Sequence, residues 1–229
     1  SFIHLILSFF SNDIVYKPKD FIDKRDFKKS ELFPRHFTDY NGDDFVSGKI
    51  GETEISFSEL KVKEKVQTKN GQRNIVVFEG IFFIADFNKY FNCKTFVLPD
   101  YAERFFGNFG TKLQSLNIFR GSLIRMDNVE FEKYFVVYSD DEIESRYILT
   151  PLLMERILNL REIFNKNLYF SFIDSKMYLA IPYSRPLFEA PLLYGVLDSY
   201  NVKESFMLIK NILGVVDELN LNMRIWTKK

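Results

Sequence analysis

The stretch that decides the fold is ISFSELKVKEKVQTKNGQRNIVVFEGIFFIADF, residues 55–87. Its middle carries Asn70-Gly71, a dipeptide typical of the tight turn of a β-hairpin. The run that follows, residues 74–87, is apolar at most positions apart from Glu79 and Gly80, which is typical of a strand buried on both faces. We therefore predict two antiparallel strands joined at Asn70-Gly71, with a bend or bulge at Gly80.

The first strand of this hairpin changes its pattern part-way along. Ile55 and Phe57 share one parity, whereas Leu60, Val62 and Val66 share the other. Because alternate residues of a strand point to opposite faces, the change predicts a bulge or a strand break near residues 58–59. Just upstream, residues 41–44 read Asn-Gly-Asp-Asp and predict a turn.

The remaining elements suggest helices packed on an antiparallel sheet. Short apolar runs at residues 94–98 and 135–138 predict strands, and residues 168–173 and 177–181 predict a second hairpin. Helices are predicted within the charged residues 17–37 and ended by Pro34, after Thr150-Pro151, and from about residue 201 to 219. The apolar stripe of the last helix is predicted to contain Val202, Phe206, Ile209, Leu213 and Val216.

These elements favour a single α+β domain, in which an antiparallel sheet carries packed helices including a C-terminal helix. The pattern is compatible with a pleckstrin-homology-like half barrel, by analogy of fold alone. We divide the chain into an N-terminal helical or juxtamembrane segment, residues 1–40, and an α+β soluble domain, residues 41–229. The apolar residues 2–10 fit either the first turns of a core helix or the tail of a membrane segment ahead of Ser1.

Composition excludes several classes of function. The 229 residues contain 31 basic and 31 acidic residues, so the net charge is zero and no basic footprint for nucleic acid is expected. One cysteine, Cys93, rules out an intramolecular disulfide and a zinc site built from several cysteines. Two histidines leave little for a histidine-dependent triad, and no phosphate-binding loop, dinucleotide fingerprint or serine elbow occurs. No cofactor is expected.

Two groups of residues remain as candidate sites. The first is an acidic cluster with one arginine, which could bind a divalent cation or could be a solvated turn in which Arg146 pairs with Glu142. The second is a pair near the C-terminus, which either ties the terminal segment to the core or anchors a protein interface. The acidic cluster comprises Asp140, Asp141, Glu142, Glu144 and Arg146, and the C-terminal pair comprises Arg224 and Trp226.

Several phrases, in order, resemble a known bacterial family. They are FEGIFFIADF at residues 78–87, EFEKYFVVYS at 130–139, ESRYILTP at 144–151 with Met-Glu-Arg at 154–156, and LNLNMRIWT at 219–227. Together they resemble the domain of unknown function 3137 from about Phe45 to the C-terminus. The resemblance implies one or two transmembrane helices ahead of this domain. It supplies no reaction and no catalytic residue.

Three functions are compatible with these observations. The first is a protein-binding or scaffold domain, held at a bacterial inner membrane and facing the cytoplasm, whose partner is another protein, such as a membrane protein. The second is a metal-dependent enzyme that uses the acidic cluster at residues 140–144. The third is binding of anionic lipid by the basic residues of 17–29, which the acidic residues of the same stretch weaken.

Overall fold

The structure, a computed structural model, describes residue 7 and residues 13–68, 71–86, 90–100, 120–183 and 199–219. Within these residues, nine strands form one antiparallel sheet, in the order β1-β2-β3-β4-β9-β8-β5-β7-β6. The strands are β1 Val15–Lys17, β2 Asp39–Ile50, β3 Thr53–Thr68, β4 Gly71–Asp86, β5 Thr95–Pro99, β6 Ser122–Ile124, β7 Phe135–Ser139, β8 Tyr169–Ile173 and β9 Lys176–Pro182.

Five helices complete the described part of the chain. They are α1 Lys24–Lys29, α2 Val129–Glu132, α3 Glu142–Ile148, α4 Pro151–Phe164 and α5 Ser199–Glu218. The sheet-rich α+β class with a C-terminal helix is therefore confirmed. The half barrel is not confirmed, because the described strands form an open order with β1 and β6 at its two ends. None of the described helices combines the length and the apolar character that crossing a membrane requires.

The predicted hairpin is the centre of the sheet. Strands β3 and β4 pair over fourteen positions, from Ile55 opposite Ala85 to Thr68 opposite Gly71, so the prediction of a hairpin is confirmed. Gly80 has φ +151°, and a Cβ built there would lie 2.2 Å from the carbonyl oxygen of Ile181 on β9. A side chain at position 80 would therefore collide with the neighbouring strand, which explains the glycine.

Both faces of the sheet are buried, which explains the change of parity in β3. Ile55 and Phe57 pack into one core with α4 and α5, while Leu60 and Val62 pack into a second core on the opposite face. Because each face has its own cover, β3 needs no break at residues 58–59, and that alternative was wrong. The bulge at this level lies on β2, where the two residues Asp44 and Phe45 lie opposite the single residue Ser58 of β3.

The second core depends on the segment between β1 and β2. Phe27 of α1 packs with its ring centroid 5.0 Å from that of Phe82 and 5.6 Å from that of Phe37. The long helix predicted within residues 17–37 is wrong, since α1 covers six residues and begins where Asp23 caps it. The rest of this segment has irregular backbone, and its apolar side chains pack against the sheet.

The turn predicted at residues 41–44 is also wrong, because these residues lie inside β2. A Cβ on Gly42 would lie 2.2 Å from the carbonyl oxygen of Glu59, so the glycine permits close approach of β2 to β3. Asp44 takes a left-handed conformation, with φ 56°, at the bulge. Turn-forming residues are therefore used here for a bulge within a strand.

The two longer helices follow the predicted pattern on one face. Thr150 caps α4 by accepting a hydrogen bond from the backbone N–H of Leu153, and the apolar face of α4 lies in the first core. Arg156 of α4 donates to the carbonyl oxygens of Asp217 and Glu218, at the end of α5. The prediction that Phe206 lies in the buried stripe of α5 is wrong, since its side chain is 37% exposed.

Candidate functional site

The predicted acidic cluster lies at the start of α3, where its carboxylates hold backbone amides. Asp141 is the N-cap of α3, and its Oδ1 accepts from the N–H of Glu144 at 2.9 Å. Asp140 Oδ1 accepts from the N–H of Lys94 at 2.8 Å, and Glu144 Oε1 accepts from the N–H of Asn92 at 2.9 Å. The cluster therefore joins α3 to the segment that leads into β5.

The arginine of the cluster makes the ion pair considered from the sequence. Arg146 donates through Nε and one terminal nitrogen to Glu142 Oε1, at 3.2 and 3.1 Å. It also reaches Asp127 at 3.3 Å and the carbonyl oxygen of Arg125 at 2.6 Å. Arg146 thus connects α3 to the segment before α2, in addition to pairing along its own helix.

Within the described residues, carboxylates converge at another place, on β2 and β3. Ligand oxygens of Asp43, Asp44 and Glu59 all lie within 4.8 Å of one another, whereas the cluster at residues 140–144 forms no such group. The bulge in β2 brings Asp43 opposite Glu59. Such oxygen ligands suit Mg²⁺ or Ca²⁺, but exposed acidic groups also occur without an ion, so the convergence alone assigns no function.

Tyr16 of β1 binds this carboxylate group, which we call the β2–β3 trio. Its hydroxyl donates to Asp44 Oδ1 at 2.5 Å. Burial and the bond to Asp44 raise the pKa of Tyr16 well above its usual value. No sequence pattern marks Glu59 as a member of the trio, because only the pairing of β2 with β3 brings it near Asp43 and Asp44.

The opposite face of β2 carries an open groove of about 560 Å³. Its charges are mixed, since two lysines and two aspartates contribute to it. Tyr40 forms part of the wall and donates from its hydroxyl to the carbonyl oxygen of Ile22 at 2.7 Å. Burial raises the pKa of Tyr40, with Asp23 and Asp26 contributing. The groove is lined by Lys19, Asp20, Phe21, Asp23, Lys24, Thr38, Tyr40 and Phe45.

The acidic cluster lies beside exposed apolar side chains. Ile143 and Tyr147, one helical turn apart on α3, are 81% and 56% exposed. Val129, at the start of α2, is 75% exposed, and Leu152, in the first turn of α4, is 50% exposed. Arg146 ties the residues before α2 to α3, so these elements are neighbours. We call Ile143 and Tyr147, which lie side by side on α3, the α3 surface.

The other predicted residues contribute no site geometry. Arg224 and Trp226 lie outside the described residues, so their predicted role in an interface stays a prediction. Cys93 is buried, and its sulfur lies 3.5 Å from the hydroxyl of Thr95. Burial raises the pKa of the Cys93 thiol, which makes the reactive thiolate less accessible.

Comparison with known proteins identifies the family of the chain. The family model described as "Protein of unknown function (DUF3137)" matches residues 76–221, from the middle of β4 to beyond α5. The chain belongs to this family. The DUF3137 match includes the acidic cluster and the α3 surface, whereas the β2–β3 trio lies ahead of it.

Similarity beyond the DUF3137 family is low. No curated protein matches the chain. A solved structure, the mycobacterial trehalose monomycolate transport factor A, TtfA, is similar over 90% of this chain and 87% of that one. Its TM-score is 0.41 and its sequence identity 8%, so no functional argument rests on it.

Proposed function

We propose that this DUF3137 chain is a protein-binding or scaffold domain of a membrane-anchored bacterial protein, located on the cytoplasmic side of the inner membrane. The observation that carries the binding role is the α3 surface, where Ile143 is 81% exposed and Tyr147 is 56% exposed. Neighbouring exposed apolar side chains with polar residues around them are typical of protein interfaces. The membrane anchor rests on the family resemblance.

The setting of the α3 surface supports this role. Asp141 caps α3, and Asp140 and Glu144 fix the helix to the segment before β5. Arg146 fixes it to the segment before α2. A helix held at several points presents its exposed side chains with little entropy left to lose on binding, which favours recognition by a partner.

The same bonds weaken the alternative of a metal-dependent enzyme at residues 140–144. Asp140, Asp141 and Glu144 each accept from a different backbone N–H, and Glu142 pairs with Arg146. Binding a cation there would compete with these hydrogen bonds and with the helix cap. A structural role in supporting the α3 surface accounts for all four carboxylates.

The binding role is tested by comparing partners that co-purify with wild type and with Ile143→Asp/Tyr147→Asp from solubilised membranes of the native bacterium. We expect the amount of at least one co-purified partner to fall about tenfold or more in the variant. Ile163→Asp is the matched control, because Ile163 is 47% exposed and lies on α4, away from α3. Equal recovery by all three folded proteins would contradict the role of the α3 surface.

The proposed location requires a separate experiment. Protease applied to spheroplasts of the native bacterium should leave this domain intact, and protease applied to inverted inner-membrane vesicles should digest it. Recovery of the intact native protein in the fraction free of membranes would contradict the anchor. Digestion in spheroplasts would contradict the cytoplasmic orientation.

A further inference from the structure

The hairpin of β3 and β4 extends beyond its neighbours on both sides. On one side β2 ends its pairing with β3 at Asp39 opposite Lys63, whereas β3 continues to Thr68. On the other side β9 pairs with β4 only from Gly80 onward. The five further pairs, from Glu64 to Thr68, extend about 17 Å at the usual rise of a strand, and near their base the N–H of Lys65 donates to the hydroxyl of Thr38 at 3.1 Å. We call residues 63–68 and 71–77 the β-arm.

The β-arm is basic in a chain that is neutral overall. Its described residues include three basic residues and one acidic residue, while the whole chain has 31 of each sign. Lys63, Lys65 and Arg73 make no ion pair, hydrogen bond or ring contact through their side chains in the described structure. A local excess of unpaired cations attracts an acidic partner.

The charges are placed on both faces of the β-arm. Lys65 lies opposite Asn74, and Arg73 lies opposite Val66, so the two cations belong to neighbouring pairs. Because successive pairs point to opposite faces, Lys65 and Arg73 face opposite sides of the ribbon. A strand placed along β4 would have a cation within reach on either face.

The edge of β4 next to the β-arm has no neighbouring strand among the described residues. Beyond Gly80, the last contact with the β9 side is the N–H of Tyr183 donating to the carbonyl oxygen of Glu79. Val76 on this edge is 49% exposed. An isolated two-stranded ribbon is only marginally stable in water, so an added strand would stabilise the β-arm.

The chemistry of the β-arm favours a protein segment over a lipid bilayer. The β-arm contains no aromatic residue, and the polar residues Gln67, Gln72 and Asn74 lie toward its end. Its aliphatic side chains, Val66 and residues 75–77, lie nearer the base. Interfacial anchors in membranes are typically Trp and Tyr, which a bilayer-binding tip would place at the end.

We propose that the β-arm docks an extended acidic segment of a partner protein, which adds as a strand along β4. This proposal rests on the proposed binding role and adds a second surface, remote in sequence from the α3 surface. Main-chain hydrogen bonds would supply affinity, and Lys65 and Arg73 would select acidic side chains. The β4 edge at Val76 would select an aliphatic residue between them.

The probe is a fluorescein-labelled ten-residue peptide built from Glu-Glu-Val-Val repeats, so that as a strand it presents Glu on both faces, and its binding is followed by fluorescence anisotropy. We expect Lys65→Glu/Arg73→Glu to weaken its binding about tenfold or more. The matched control is Lys176→Glu/Lys210→Glu, which changes the net charge equally at two exposed lysines outside the β-arm. A peptide in which Pro replaces each Val has the same charge and should bind about tenfold more weakly, because two consecutive Pro residues remove a backbone N–H from each edge of a strand.

Three results would overturn the proposal. The first is no binding of the Glu-Val peptide at about 1 mM protein, and the second is equal binding by the β-arm variant and the control. The third is equal binding of the Glu-Val and Glu-Pro peptides. Co-sedimentation with phosphatidylglycerol vesicles that depends on Lys65 and Arg73, without peptide binding, would assign the β-arm to membranes instead. If the peptide fails while the α3 variant still loses its partner, only the β-arm proposal fails.

Discussion

The two acidic groups of this molecule use the same residue types in opposite ways. At the start of α3, Asp140, Asp141 and Glu144 point to separate backbone amides. On β2 and β3, the trio brings Asp43, Asp44 and Glu59 within 4.8 Å of one another. The first group is continuous in sequence and disperses its charges, whereas the second is assembled from two strands and concentrates them.

The comparison shows that closeness in sequence is a poor guide to convergence of carboxylates. Neighbouring residues at a helix start are drawn to the unpaired N–H groups of the first turn, which compete with a cation for the same oxygens. Paired strands have no comparable row of unpaired N–H groups near a bulge. The bulge instead brings side chains from two strands close together, and the trio forms in this way.

The fall in the free energy of unfolding at high pH is expected to show the largest difference between the β2–β3 trio and the acidic cluster of α3. The pKa of Tyr16, bound to Asp44, is raised, as is that of Tyr40, and the pKa of Tyr178 is raised to about 12. The neutral phenols are favoured in the folded state, so their stabilisation is present below about pH 10 and is lost as the pH rises further. Burial lowers the pKa of Arg120 to about 10, so this group gains stability as the pH rises above about 10. The gain from this one arginine opposes the loss from the three tyrosines but does not cancel it.

Urea unfolding at pH 8, 10 and 11 measures this loss. We expect Tyr16→Phe to reduce the fall in the free energy of unfolding above pH 10, because one titrating phenol is removed. Asp141→Asn is the control from the acidic cluster, and its free energy of unfolding should fall above pH 10 as much as that of the wild type. An identical fall in Tyr16→Phe and wild type would show that the bond between Tyr16 and Asp44 has no part in it.

The backbone at the bulge predicts the next largest effect. Asp44→Val should lower the free energy of unfolding by about 2–3 kcal/mol, since a β-branched residue is strained at φ 56° and the hydrogen bond from Tyr16 is lost. Asp44→Gly removes the same bond without the strain and should cost about 1 kcal/mol. Equal losses for the two variants would refute the contribution of strain.

The cap of α3 predicts a smaller effect. Asp141→Ala removes the acceptor for the N–H of Glu144 and should cost about 1 kcal/mol in urea unfolding. Asp141→Asn keeps an acceptor oxygen and should change the free energy of unfolding by only about a few tenths of a kcal/mol. A loss in Asp141→Asn as large as in Asp141→Ala would indicate that the negative charge, rather than the cap, is what matters.

Metal addition is expected to have the smallest effect. At millimolar Mg²⁺, Mn²⁺ or Ca²⁺ we expect stabilisation of no more than ~0.4 kcal/mol, the value for a site half filled. A larger rise in the thermal midpoint that Asp140→Asn abolishes would favour the metal-dependent enzyme and contradict the binding role. A larger rise that Asp43→Asn abolishes would instead assign a cation to the trio.

Much of the fold was predictable because its signals are local. Asn70-Gly71 marked the β3–β4 hairpin, and Thr150-Pro151 marked the cap and first turn of α4. The pairing of Arg146 with Glu142 followed from helical spacing. Phe206 was misplaced, because the apolar stripe of α5 is wider than the surface that the core covers there.

The amino-acid sequence by itself determined the hairpins, the Thr150 cap of α4 and the membership in DUF3137, since each depends on residues a few positions apart or on an ordered set of phrases. Only the tertiary structure decided that Asn41 to Asp44 belong to a strand, that Glu59 joins Asp43 and Asp44, and that the β-arm extends beyond its neighbours. These features depend on strand register and on which element covers each face of the sheet. Register is set by packing between distant segments, so no local pattern encodes it.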